Sequence, residues 1–205
     1  MEQTNQVVNI RVVGLSGSLR LESYTRMAVE LALSGAKEVG AKVQMLDLND
    51  YDLNFSYFGD DTPDGVLRLR SDIGAAHGII LGTPEYHGSF SGVLKYAIDM
   101  MGFNEFGGKM VGLVGVSGGK LGGADALNSL RSIGRALHAW VVPKQITIPE
   151  AWRLFDEQGQ LADNRLEDAL LEVGRQVARF AFLHQSAEAL EFLRMWEQAP
   201  PNPGG

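Results

Sequence analysis

Apolar residues along this chain fall into two alternating patterns, short unbroken runs and longer stretches with a helical repeat. The runs 10–15, 43–48, 77–82, 109–116 and 139–148 read as strands, the last of them broken by Pro143. Between them, apolar positions recur every three to four residues. The stretch 23–39 puts Met27, Leu31, Ala32 and Ala36 or Val39 on one helical face, and Gly40 is placed to end it. Further helices fit 63–76, 89–101 and 122–137, whereas 49–61 has no clear period and reads as a loop. A long helical pattern covers 163–198, with a bend predicted near 184–186. The end, 199–205, reads A-P-P-N-P-G-G and is expected to fray.

Strand and helix alternate along the chain in the order of a sheet built from right-handed crossovers. The first, third and fourth strands are rich in Val, Ile, Leu and Gly and lack polar alternation, as parallel strands covered on both faces do. Five strands fit a flavodoxin-like α/β fold, a five-stranded parallel sheet with helices on both faces, better than the six-stranded dinucleotide fold. We expect that domain to occupy 1–185, and 186–205 to form a C-terminal helical extension ending in the frayed tail.

Composition narrows the function. At 205 residues, with 45% hydrophobic and 21% charged, the chain suits one ordinary α/β domain and excludes a disordered chain or a coiled coil. No apolar run approaches the length of a membrane span. The first nine residues carry no basic residue and no apolar stretch, so no secretory signal is expected there. Zero cysteines exclude disulfides, thiolate nucleophiles and sulfur-built metal sites; we expect a cytoplasmic protein without a metal. The net charge of −7 argues against nucleic acid or an anionic membrane as partner. The 25 glycines exceed the usual share of roughly 7%. Gly14 and Gly17 follow the first strand, Gly82 and Gly88 the third, and Gly115, Gly118, Gly119, Gly122 and Gly123 the fourth. Ligands bind such sheets at the carboxyl ends of the strands, so these loops point to one site.

The first loop, 14–25, reads G-L-S-G-S-L-R-L-E-S-Y-T. It matches neither the dinucleotide fingerprint nor a Walker A loop. It offers hydroxyls at Ser16, Ser18, Ser23 and Thr25, the Arg20 guanidinium, and the N-terminus of the helix that follows. A phosphate monoester dianion suits that set; a plain helix cap accounts for Ser23 equally well. The second loop, 83–95, reads T-P-E-Y-H-G-S-F-S-G-V-L-K. Pro84, Gly88 and Gly92 would turn the chain at the sheet edge, backbone amides there can face a flat heterocycle, and Tyr86 can pack on it. Tyr86 and Phe90 can instead belong to the core, and His87 is either an acid–base group or a solvated cap. The third loop, 115–123, reads G-V-S-G-G-K-L-G-G. Leu121 stands where a Walker loop needs Ser or Thr, which argues against nucleotide hydrolysis. So bare a backbone forms either a nest of N–H donors or a flexible turn.

These loops resemble those of the NADPH-dependent FMN reductase family, which includes quinone, azo-dye and chromate reductases. The first loop is similar to G-S-x-R-x-x-S through Gly17, Ser18, Arg20 and Ser23. The second is similar to T-P-E-Y-N-G-S-x-P-G-x-L-K-N-A-I-D over 83–99, with His87, Ser91 and Tyr96 in place of Asn, Pro and Asn. The third is a similar glycine-rich turn over 117–123. The resemblance spans about 10–148.

It implies bound FMN, with NADPH or NADH as hydride donor and a flavin, quinone or similar small molecule as acceptor. The phosphate would lie on Ser18, Arg20, Ser23 and Thr25, with Ser16 and Tyr24 in the same loop. Pro84, Glu85, Tyr86, His87 and Gly88 would run along the flavin edge. Ser117, Gly118 and Gly119 would face its pyrimidine end, where backbone donors stabilise the charge of the reduced ring. The flavin carries the chemistry, so no catalytic side chain is required. Two other readings compete: a flavodoxin-like electron carrier, which a moderate charge and a Ser/Arg loop disfavour, and a non-enzymatic flavin-binding module whose last helix meets a partner. Excess apolar positions at Leu94, Ala97, Ile98, Met100 and Met101, and again at Leu190, Phe192, Leu193, Met195 and Trp196, predict a homodimer or homotetramer with the site near a subunit boundary.

Overall fold

The structure, a computed structural model, describes residues 9–53, 62–156 and 158–198. In chain order the elements are β1 (Arg11–Ser16), α1 (Tyr24–Glu38), β2 (Lys42–Asp47), α2 (Asp64–Gly74), β3 (Gly78–Tyr86), β4 (Ser89–Phe90), α3 (Gly92–Asp99), α4 (Phe103–Phe106), β5 (Met110–Val116), α5 (Ala124–Ala136), β6 (Trp140–Ile148), α6 (Asn164–Gln185) and α7 (Ala187–Gln198). Short 3₁₀ turns follow β2 at Leu48–Asp50 and β6 at Ala151–Arg153.

The apolar runs form the sheet, in the order β2-β1-β3-β5-β6, with every pair along that path parallel. A sixth strand, β4, is two residues long and antiparallel to β3. In the central strands, successive residues are buried on opposite faces, which is why they show no polar alternation. Val12, Ile80 and Val114 face α1 and α6, while Val13, Ile79 and Leu113 face α2, α3 and α5.

Four local expectations change. On α1 the buried face is Ala28, Val29, Ala32, Leu33 and Ala36, whereas Met27 and Leu31 are half-buried and Val39 is exposed. The cause is the close crossing with α6: a Cβ on Gly35 would overlap the Leu171 carbonyl, and one on Gly174 the Ala32 carbonyl. Small residues are therefore what that face needs, and the larger side chains fall to its flanks. Next, Pro143 does not break β6. The register shifts between Val111 and Leu113, and Arg131 on α5 donates to the Val142 and Pro143 carbonyls at 3.0 Å each. A bulge on an edge strand accommodates a residue without an N–H. Third, the stretch 89–101 is helical only from Gly92, because its start returns along β3. Fourth, the apolar residues of α3 that suggested an interface are covered within the chain: Leu94, Ala97, Ile98, Met100 and Met101 are all buried.

The long C-terminal pattern divides at Ser186, whose extended backbone separates α6 from α7. The stretch 54–61 of the expected loop, the tail 199–205, and the side chains of Leu193 and Trp196 lie outside the described residues. No helix among the described residues is long and apolar enough to cross a membrane.

Candidate active site

The first loop leaves β1 at Ser16 and is fixed by its own short side chains. Ser16 is buried, and its Oγ accepts the Ser18 N–H at 3.3 Å; the Ser18 Oγ accepts the Arg20 N–H at 3.4 Å. Gly17 sits against the neighbouring strand, its N–H donated to the Gly82 carbonyl at 2.8 Å. A Cβ there would lie 2.7 Å from Ser91 Oγ and 2.8 Å from Leu94 Cβ, so only glycine fits. Ser23 caps α1 by accepting the Arg26 N–H at 3.3 Å. The amides of Tyr24 and Thr25 belong to the first turn and have no intrahelical partner. Arg26 pairs with Glu30 and Asp47, and the hydrogen bond to Glu30 is the largest cause of its raised pKa. Arg20 differs. It is exposed, and among the described residues its guanidinium meets no carboxylate and no carbonyl.

The second loop is a strand and a hairpin. β3 runs on through Pro84, which pairs with Val116, and β1 has already left the ladder at Gly82. The chain reverses over His87 and Gly88, at φ 53° and 76°, and Glu85 and Tyr86 pair with Phe90 and Ser89. Two central residues with positive φ define a type I′ turn, the one best matched to strand twist. Glu85 reaches across to the third loop, its Oε2 accepting the Ala126 N–H at 3.2 Å in the first turn of α5. Tyr86 is 50% exposed.

In the third loop, Ser117 donates its N–H to the Ile148 carbonyl at 2.9 Å, and its own carbonyl accepts the Ala151 N–H at 3.1 Å. Ser117 Oγ accepts the Gly119 N–H at 2.9 Å. Gly122 and Gly123, at φ 73° and 95°, turn the backbone into α5 through a conformation that side chains resist.

A cavity of about 190 Å³ lies where these loops meet. It is lined by Ser18, Arg20, Glu22, Ser23, Tyr24 and Thr25 from the first loop, Pro84, Glu85 and Tyr86 from β3, Val116, Ser117 and Gly118 from the third, and Ala151 and Trp152 after β6. A groove toward α3 continues it, sharing Ser18, Arg20 and Tyr86. Sites that enclose a whole ligand usually offer about 300–1,000 Å³, so a larger guest would lie partly in the open.

Of the residues singled out in the sequence, Ser16 lies beneath the first loop rather than on the cavity. His87 and Gly88 form the exposed hairpin tip, and Gly119 is turned to Ser117; none of these three lines the cavity. The others come together there. Glu22, Val116, Ala151 and Trp152 were missed. Trp152, 58% exposed, sits on the 3₁₀ turn that follows the fifth parallel strand. The carboxyl-end rule includes that loop, but it holds no glycine to draw attention to it. Beside it the rings of Tyr24 and Phe155 stack at 5.7 Å.

The strand order and the cavity at the carboxyl edge define a flavodoxin-like α/β domain whose first loop lines the cavity. The profile of one family, described as NADPH-dependent FMN reductase, matches residues 10–153. The chain belongs to this family. It is 32% identical over 187 residues to the NADPH-dependent FMN reductase ArsH of Shigella flexneri, covering 88% of this chain and 72% of the relative. It is 34% identical over 167 residues to the NAD(P)H-dependent FMN reductase PA1204 of Pseudomonas aeruginosa, covering 79% and 90%. Among solved structures, FerB of Paracoccus denitrificans, a flavoenzyme NAD(P)H:(acceptor) oxidoreductase, shares the fold at a TM-score of 0.66 and 24% identity, covering 85% of this chain and 98% of that one. The protein is an FMN-dependent oxidoreductase that uses NAD(P)H.

Proposed function

We propose that the cavity holds FMN with its phosphate on the first loop, and that the enzyme passes electrons from NAD(P)H to a small planar acceptor such as a quinone, an azo compound or free flavin. One observation carries the reading: a guanidinium and helix-terminal amides that have no partner among the described residues meet, at one sheet edge, hydroxyls and the backbone of two further loops. The donor set fits the cofactor. Arg20 and the amides of Tyr24 and Thr25 suit a dianion. Ser18 and Thr25 add hydroxyls. Ser23 Oγ already accepts from Arg26, which leaves its O–H to donate. At Gly118 a Cβ would meet nothing within 4 Å, so that backbone is open to a ring.

Bound FMN supplies the capacity to take up and release two electrons as hydride. The chain binds and orients. Glu85 holds the second loop to the start of α5 through its carboxylate. The half-exposed rings of Tyr86 and Trp152 offer apolar walls for planar reactants. His87 lies off the cavity, and hydride transfer through the flavin itself calls for no protein acid or base.

The test is direct. The purified protein is supplied with FMN, and NADPH and NADH oxidation are followed with a quinone, an azo dye and free FMN. Flavin binding with turnover of at least one acceptor is expected; no flavin binding, or no nicotinamide oxidation by the flavin-loaded protein, overturns the proposal.

We further propose that 1–185 forms the cofactor domain and that 186–205 serves assembly into a homodimer or homotetramer in the cytoplasm. The support is the exposure of Phe182 and Leu183 on α6 and of Leu190, Phe192 and Met195 on α7. Light scattering should give two or four times 22.3 kDa. A monomer with full activity overturns the assembly.

A further inference from the structure

Ser91 stands at the start of α3, where the resembled pattern has proline, and it makes three hydrogen bonds from a position only 2% exposed. Its N–H donates to Thr83 Oγ1 at 3.0 Å, its Oγ accepts the Leu94 N–H at 3.2 Å, and its hydroxyl donates to the Gly17 carbonyl at 2.6 Å. Helix capping accounts for the bond from Leu94 alone. The bond to Gly17 crosses from the second loop to the first, through a fully buried contact. Proline could make none of the three, having neither N–H nor hydroxyl.

Gly17 is consequently held on both sides, its N–H by Gly82 and its carbonyl by Ser91. A peptide unit is planar, so fixing the Gly17 carbonyl fixes the direction of the Ser18 N–H. That N–H meets Ser16 Oγ, and Ser18 Oγ in turn takes the Arg20 N–H. The chain of bonds runs from Ser91 to Ser18 and Arg20, two of the residues placed on the phosphate.

We infer that Ser91 is a positioning residue for the phosphate loop: its hydroxyl locks Gly17 so that Ser18 and Arg20 are presented to the phosphate. This rests on the FMN reading above. Riboflavin lacks the phosphate, so the lock bears on FMN and not on riboflavin.

Apoprotein is titrated with FMN and with riboflavin, following flavin fluorescence, in wild type, Ser91→Ala and Ser91→Thr. Loss of one hydrogen bond should weaken FMN binding about three- to tenfold in Ser91→Ala. Riboflavin should move less than about twofold, and Ser91→Thr should restore the FMN-to-riboflavin ratio. Equal weakening of both flavins, or a lower Tm with neither affinity changed, overturns the inference and leaves Ser91 a helix cap. Where Ser91→Ala does not fold, Ser91→Cys keeps the shape with a weak donor, and the same two patterns decide. A wild type that binds FMN no better than riboflavin overturns the functional reading itself, a result separable from any variant.

Discussion

Replacing Arg20 by alanine removes a charge that pairs with no other described residue. The guanidinium is exposed and meets no partner among the described residues, so its loss should leave Tm within about 1–2 °C. Its effect should appear only with a phosphate in place. A hydrogen bond to a charged group is worth about 1.5–3 kcal/mol. The loop is open to water, which favours the lower part of that range, about 1.5–2 kcal/mol, or about ten- to thirtyfold in FMN affinity. The electrostatic origin gives two controls. In 1 M salt the screening length falls to about 3 Å and the difference between wild type and variant should shrink. Below pH 6 the phosphate loses part of its second charge, since that pKa is about 6, and the difference should shrink again. Arg20→Lys should recover part of the affinity, because it keeps the charge but not the planar fork. The assay is fluorescence titration of apoprotein with FMN and riboflavin. Unchanged FMN affinity in Arg20→Ala, or equal losses for FMN and riboflavin, would refute the placement of the phosphate.

Gly174→Ala drives a Cβ into the Ala32 carbonyl where neither helix backbone can yield; a loss of about 3 kcal/mol, a Tm fall of about 6–12 °C, is expected by thermal circular dichroism, and an unchanged Tm contradicts the crossing. His87 holds φ 53° in an exposed turn, where asparagine is more at ease, so His87→Asn should raise stability by a few tenths of a kcal/mol and keep activity within about tenfold. A thousandfold loss with FMN still bound would instead make His87 a catalytic acid or base. Burial, with Lys109 and Arg11 nearby, holds the His77 pKa below its usual value, and its Nδ1 accepts the Arg11 N–H. The unfolded chain then takes up that proton at about pH 6.5 while the folded chain resists it, so stability falls as pH drops below about 6.5. Urea unfolding at pH 7.5 and 5.5 should show that fall in wild type and a smaller one in His77→Gln; equal falls would clear His77 of the effect.

The central strands and the ends of α1 were legible because burial on both faces leaves an unbroken apolar run and because Ser23 and Gly40 punctuate α1. The buried stripe of α1 was not, since hydrophobic periodicity gives weight to large side chains and a close helix crossing selects small ones. The hairpin after β3 was hidden for a different reason. Its turn carries His-Gly rather than the Asn-Gly that announces a type I′ turn, and strand pairing of only two residues leaves no alternation to read. Trp152 was out of reach because its loop carries no glycine and no hydroxyl, only its position after β6.

The glycines point to the edge where the cavity lies, though for mixed physical reasons. At Gly14 and Gly82 a Cβ would strike Val29, and at Gly115 it would crowd Gly123 and Leu127, so these glycines exist to let helices lie close on the sheet. Gly17 answers to Ser91 and Leu94, a contact between two loops. Gly122 and Gly123 answer to the backbone turn into α5. Of the cavity-lining residues, Gly118 is the glycine whose missing side chain leaves open space. The excess still marks the edge that carries the cavity, because the loops that must bring α1, α3 and α5 close over the central strands are those at the strands' carboxyl ends. Tight return of the helices and the ligand site share that edge through the right-handed crossover itself. A glycine count therefore finds the edge, while side-chain chemistry at Arg20, Ser18 and Tyr86 is needed to say what binds there.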